Sequence, residues 1–168
     1  MKPTVLNLLL YLWQLPQHLV ALVVWEVLKC ARKVMSVLRG HDSTIIYALP
    51  KMGLSLGRYI FVHYGCSPLT IKHEMGHSRQ SLIFGPFYLL LVGIPSAVFA
   101  NIWDRLFHKK WSSEKRHDWY YNRYPEKWAD KLGGVDRISL LEKTDNETAS
   151  FQQGKVKDKT QKDMVKQG

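Results

Sequence analysis

Residues 70–80 read TIKHEMGHSRQ, with His73 and His77 four apart and Glu74 beside the first. In an α-helix, positions four apart stack on one face, so both imidazoles can aim a ring nitrogen at one ion. Glu74 is turned from His73 by about 100° at 3.6 residues per turn. It therefore borders such a site without being forced to ligate, and its carboxylate is placed to act as a general base on water. Gly76 leaves bare backbone where another element can approach closely. At this content of His and Glu the pattern arises by chance in roughly one sequence in a hundred, so its surroundings decide its weight.

Those surroundings are ordered. Ser67 followed by Pro68 pairs a helix cap with a proline at the first helical position, and Gly85-Pro86 interrupts at the other end. The spacing predicts a helix over 68–84. Ahead of it, TIIYALP (44–50) and RYIFVHYG (58–65) are rich in β-branched and aromatic residues and bounded by Gly or Pro. They predict strands within 44–65, a small antiparallel sheet, with RYIFVHY offering an edge to an extended peptide.

Downstream, YPEKWADKLGG (124–134) predicts a helix over 125–133, with Pro125 in its first turn and Gly133-Gly134 as its stop. Glu126 and Asp130 are again four apart. Glu126 can complete a His₂Glu set with a fourth position open, the catalytic rather than the structural arrangement of zinc. Asp130 is one turn further, where it can accept the outer N–H of a ligating histidine and hold its tautomer. His117, Tyr120, Tyr121 and Tyr124 are near Glu126 in sequence and are candidate donors to a developing oxyanion, with interfacial aromatics or a solvated histidine as the plainer reading.

The chain has 168 residues, enough for one domain, expected over 1–142. Its apolar residues, 46% of the total, are bunched into blocks at 4–25 and 82–103, each about one bilayer thickness long if helical. Residues 4–38 read as a helix kinked near Pro16, its polar centre of Gln14, Gln17 and His18 either lying in a membrane interface or buried against protein. The formal charge is +10, but the basic residues flank the apolar blocks instead of forming a run interleaved with stacking aromatics. That favours an anionic membrane surface over nucleic acid. Cys30 and Cys66 are too few for a disulfide framework. No small-x-small cleavage pattern follows the first block, so no cleaved signal peptide is expected. From Lys143 to the end the chain is polar and charged and is expected to be disordered.

HEMGH followed by E-x-x-A-D resembles the gluzincin class of zinc metallopeptidases, most closely their membrane-embedded branch of prenyl-protein and heat-shock-linked peptidases. The chain is also similar to a group of small bacterial proteins with HE-x-GH-x-x-Q-S, GP-x-YLL and E-x-W-A-D-x-LGG. The resemblance implies one Zn²⁺ on His73, His77 and Glu126, Glu74 as general base, Asp130 as orienting residue, and a peptide or protein substrate. It implies an α+β fold, a mainly helical, membrane-associated minimal zincin, at a bacterial cytoplasmic membrane.

A single crossing by 82–103 would part His73 from Glu126. The Gly-Pro and Gly-x-Pro breaks in GPF and VGIPS therefore predict a re-entrant or hairpin block, with the metal site towards the cytoplasmic face. The expected activity is zinc-dependent peptide hydrolysis. A metal-binding scaffold without turnover, or a metal-free interaction protein at membranes, is the alternative.

Overall fold

The computed structural model describes residues 5–48 and 52–137. By compactness the chain divides into Met1–Val135 and Asp136–Gly168, and every element named below lies in the first unit. The polar tail expected from residue 143 onward lies outside the described residues.

The fold is α+β, built on a small mixed four-stranded sheet. The first apolar block forms two helices, α1 (Val5–Trp13) and α2 (Leu15–Cys30), bent by 77° where they meet at Gln14. Pro16 sits in the first turn of α2, where its missing N–H costs no helical bond, so the break falls just before it. Among the described residues no single helix is long and apolar enough to cross a membrane; α1 and α2 together pass on length and composition alone.

The helix expected to continue to residue 38 ends at Cys30. Arg32 turns the chain with φ +54°, and Val34–Arg39 become strand β1. Here β-branched residues and pairing with the next strand override helical continuation. The other strands are β2 (Thr44–Ala48), β3 (Gly53–Leu56) and β4 (Tyr59–His63), in the order β1-β2-β4-β3. β1/β2 and β3/β4 are antiparallel, but β2 and β4 run parallel, with Ile46 opposite Phe61. The expected antiparallel sheet is thus mixed. Because β3 folds back onto β4's outer side, RYIFVHY is an interior strand, and the edge that faces the helix after it belongs to β3.

Alternation sends β2 and β4 side chains to opposite faces. Ile46, Ala48, Leu56 and Phe61 pack on Ala21 and Leu28 of α2, whereas Ile45, Ile60 and Val62 pack on Ile71 of α3 (Pro68–Phe84). Ile46, Ile60 and Phe61 are fully buried, each worth about 1.5–3 kcal/mol. The sheet is therefore held between α2 and α3.

The polar elbow between α1 and α2 is buried against α3. Gln17 Nε2 donates to Ser81 Oγ at 2.8 Å and to the Gly85 carbonyl at 3.0 Å, and Ser81 Oγ donates to Gln14 Oε1 at 3.0 Å. The Arg58 backbone N–H donates to His18 Nε2 at 3.2 Å. Gly57, at φ +65°, leaves room for that ring where any Cβ would collide with it.

Beyond α3, a 3₁₀ turn (Gly85–Phe87) leads into a stretch that stays helical from 88 to 107. Two α-helical turns, α4 (Ile94–Ala97) and α5 (Asp104–Phe107), alternate with π-helical turns at Leu89–Gly93 and Val98–Trp103. The Gly and Pro breaks suggested a re-entrant or hairpin block over 82–103, but the stretch does not fold back within itself. Wider π turns absorb them. The return leg is polar α6 (Ser113–Tyr121), which retraces the block through Phe99–Trp119 and Asp104–Arg116 contacts. That hairpin brings α7 (Glu126–Gly133) back to α3.

Candidate metal centre

The Thr70 N–H donates to Ser67 Oγ at 3.2 Å, capping α3 as the sequence predicts. One turn on, His73 and His77 share a face, their rings edge to face with centroids 4.8 Å apart. α7 lies across α3 at two backbone contacts. Gly76 meets the Ala129 carbonyl, and Gly133 meets the Lys72 carbonyl, with no space for a Cβ at either. This closeness lets the short Glu126 and Asp130 side chains reach the imidazoles.

Glu126 Oε2 lies 3.0 Å from His73 Nε2 and 3.2 Å from His77 Nε2. Donor atoms of the three side chains all fall within 4.8 Å of one another, and the residues are only 5%, 6% and 1% exposed. The outer ring nitrogens are held as well. His73 Nδ1–H donates to Asp130 Oδ1 at 2.7 Å, and His77 Nδ1–H to Gln80 Oε1 at 2.8 Å. Gln80 Nε2 donates to the Pro125 carbonyl at 2.9 Å. A carbonyl only accepts, so Pro125 sets which way the Gln80 amide points, and the amide oxygen then sets the His77 tautomer.

With both Nδ1 atoms protonated, two Nε2 lone pairs and a carboxylate oxygen face one another. Three converging acceptors in a buried space need a cation between them, whether a proton on a ring or a metal ion. The donor set suits a divalent ion: two imidazoles, one carboxylate and supporting hydrogen bonds behind the rings. Without a metal, a proton serves. Burial opposes charging His73, yet its bonds to Asp130 and Glu126 raise it to about 9. Burial opposes charging His77 as well, but its bond to Glu126 and the negative charges of Glu126 and Glu74 together raise it. Burial pushes Glu126 up, but the two imidazoles hold its carboxyl far below the usual carboxylate range.

Glu74 lies beside this trio, 5% exposed. Its Oε1 sits 2.5 Å from where a Cβ on Gly53 would be, so the edge strand presses on the carboxylate. Its Oε2 is buried with no hydrogen-bond partner among the described residues. Burial raises the Glu74 pKa, against the pull of His77 and His73. A carboxylate with an unused oxygen and a raised pKa is suited to taking up a proton.

The four oxyanion candidates separate. Tyr120 and Ser96 hydroxyls, 3.0 Å apart, lie beside the Glu126 carboxylate. Tyr121 sets its ring edge to face against His73 at 5.2 Å, with His117 on Tyr121 at 4.5 Å. Tyr124 is half exposed and donates its hydroxyl to the Leu91 carbonyl at 2.7 Å, committed away from the trio. Four residues at the site carry no role in the sequence reading: Gln80, Gly53, Ser96 and Tyr88, whose hydroxyl donates to the outward Ser55 carbonyl of β3 at 2.8 Å. Gln80 was legible, since it follows His77 by three positions on the same helical face. The others arrive from elements with no local signal.

No family model, curated protein or solved structure matches the chain.

Proposed function

We propose that the protein is a zinc-dependent peptide hydrolase. The observation that carries this reading is the convergence of His73, His77 and Glu126 on one point, with Glu74 beside it, whose Oε2 has no hydrogen-bond partner among the described residues. Two imidazoles and one carboxylate leave a fourth tetrahedral position free, the arrangement of catalytic zinc. A bound zinc ion supplies Lewis acidity, polarising a carbonyl and making water more acidic. Glu74 takes a proton from the attacking water and hands it to the leaving amine nitrogen. Asp130 and Gln80 hold the imidazoles in the tautomer that turns Nε2 inward. The Tyr120 hydroxyl, beside Glu126, is the donor for a developing oxyanion. A substrate strand pairs with the β3 edge after the Tyr88 hydroxyl gives up the Ser55 carbonyl.

Glu74→Gln tests this directly. It should leave zinc bound at one ion per chain and lower hydrolysis of an unstructured protein substrate by about 10²–10⁴, the range for a general base. Equal turnover in Glu74→Gln and wild type would remove the base from the mechanism.

A second reading is supported by one observation: the three ligand residues are at most 6% exposed, as in closed structural zinc sites. On that reading the ion ties α3 to α7 and no substrate enters. Stoichiometric zinc with no cleavage of any protein by wild type would select it.

A further inference from the structure

Both apolar blocks leave several large side chains exposed. On α1, Leu6, Leu9 and Leu12 are 64%, 57% and 53% exposed. Trp13 closes α1 onto the end of α3: its indole N–H donates to the Leu82 carbonyl at 2.9 Å, and its ring covers Gly85. Across that seam Ile83, Phe87 and Leu90 are also more than half exposed. One apolar surface thus runs from α1 over the α3 terminus into the helical stretch 88–107, where Leu106 and Phe107 extend it. Cations follow the apolar helices at two points of the chain. Lys29, Arg32 and Lys33 close α2, and Arg105, Lys109 and Lys110 close 88–107. Asp104, beside the second group, is engaged with Arg116, whereas Glu26 pairs with Lys29 itself at 2.6 Å, so the first group rests on Arg32 and Lys33.

The lengths of α1 and α2 and what lies alongside 88–107 argue against crossing a bilayer. α1 is 9 residues and α2 is 16. At about 1.5 Å per residue they span about 14 and 24 Å, short of the roughly 30 Å hydrocarbon core. Their 77° bend is locked, because the elbow donates its polar groups to Ser81 and Gly85. The 88–107 stretch is long enough, but α6 and the turn after it accompany it throughout. Leu91 meets Tyr124, Ser96 meets Tyr120, Phe99 meets Trp119 and Asp104 meets Arg116. Sinking the stretch upright would drag Glu114, Lys115, Arg116, Asp118 and Arg123 through hydrocarbon, at a cost of several kcal/mol. Laid flat, the hairpin keeps α6 in water and its apolar side in lipid.

We propose that the protein is a monotopic membrane protein, seated in one leaflet of an anionic bilayer on the outer faces of α1 and residues 82–107, with its basic ends on the headgroups. The metal site, roofed by Tyr88 and Ser96 of that same stretch, then lies at the lipid–water boundary. The proposal does not depend on the metal chemistry.

The test adds purified full-length protein to preformed, sealed vesicles of equimolar phosphatidylglycerol and phosphatidylcholine, and to vesicles of phosphatidylcholine alone. In a density gradient the protein should float with the mixed vesicles and much less with the neutral ones. Lys109→Ala with Lys110→Ala should weaken binding to the anionic vesicles by about tenfold or more, at roughly fivefold per basic residue. Leu9→Asp with Phe87→Asp, both at exposed positions, should weaken it at least about tenfold. Single cysteines placed at Lys33, Lys110 and Asp118, in a chain with Cys30→Ser and Cys66→Ser, should all react with an impermeant maleimide from outside. Any of these cysteines protected inside the vesicle would overturn the one-leaflet seating. Protein that stays at the bottom with both lipids, or sediments as a dimer with this surface covered, would overturn the lipid partner.

Discussion

Replacing Gly76 by alanine sets two effects against each other. In a helix interior, alanine is favoured over glycine by up to about 1 kcal/mol, so propensity alone makes the variant more stable. Packing says the reverse. The new Cβ would stand 1.9 Å from the Ala129 carbonyl oxygen and 2.6 Å from its carbon, whereas real Cβ atoms keep at least 3.0 Å. Both neighbours are backbone and cannot swing aside, so α7 must withdraw from α3 by about 1 Å. Overpacking of this kind costs roughly 1–3 kcal/mol, which exceeds the propensity gain. The same shift carries Glu126 away from the imidazoles, where ligand distances tolerate only about 0.2 Å.

The expected variant is destabilised by about 1–2 kcal/mol in its metal-free form, and binds zinc at least about 10–100-fold more weakly. Urea unfolding of chelated protein reads the first effect, and competition with a chromophoric chelator reads the second. Gly93→Ala is the control, since its new Cβ would meet only Leu89 Cδ2 at 3.6 Å, and it should be neutral or slightly stabilising. A Gly76→Ala protein more stable than wild type and holding zinc equally well would refute the close crossing of α3 and α7.

Gln80→Leu removes both the acceptor of the His77 Nδ1 proton and the donor to Pro125, and zinc affinity should drop about 10–100-fold by the same competition assay; unchanged affinity would mean the bridge is idle. Gly53→Ala pushes on Glu74 Oε1 without touching a ligand, so it should lower turnover with zinc content intact, a split that metal analysis beside a cleavage assay resolves. His18 is fully buried and its pKa is lowered by burial from 6.5 to about 4. The unfolded chain therefore takes up this proton first as pH falls. The His18 contribution is intact above pH 6.5 and is lost progressively down to about pH 4, by up to about 3 kcal/mol. Chelated wild type should lose more stability over that window than His18→Asn, and parallel curves would refute the buried neutral ring.

Helix α3 was legible because its signals are local: Ser67 and Pro68 set its start, Gly85 its end, and the four-residue spacing of His73 and His77 lies within one turn. The same holds for the order Glu126, Asp130, Gly134, where a left-handed glycine at φ +68° stops α7. Strand propensity placed β2 and β4 but not their direction, since pairing sense depends on which segments meet and not on either alone. β1 was hidden inside an apolar run whose first part is helical, and only its pairing with β2 distinguishes the two.

By itself, the sequence determined which side chains can bind a cation and how each pair is spaced along its own helix. Tertiary structure decided that the pairs meet. It did so through two glycine–carbonyl contacts between α3 and α7, a glutamine reaching both a ligand and the next helix, and a polar α6 that carries the chain back along the apolar stretch. The contacts that join α3 to α7 link residues 45 or more positions apart. They depend on what is absent at Gly76 and Gly133 as much as on what is present, and no helical period or turn signal encodes such a vacancy's partner.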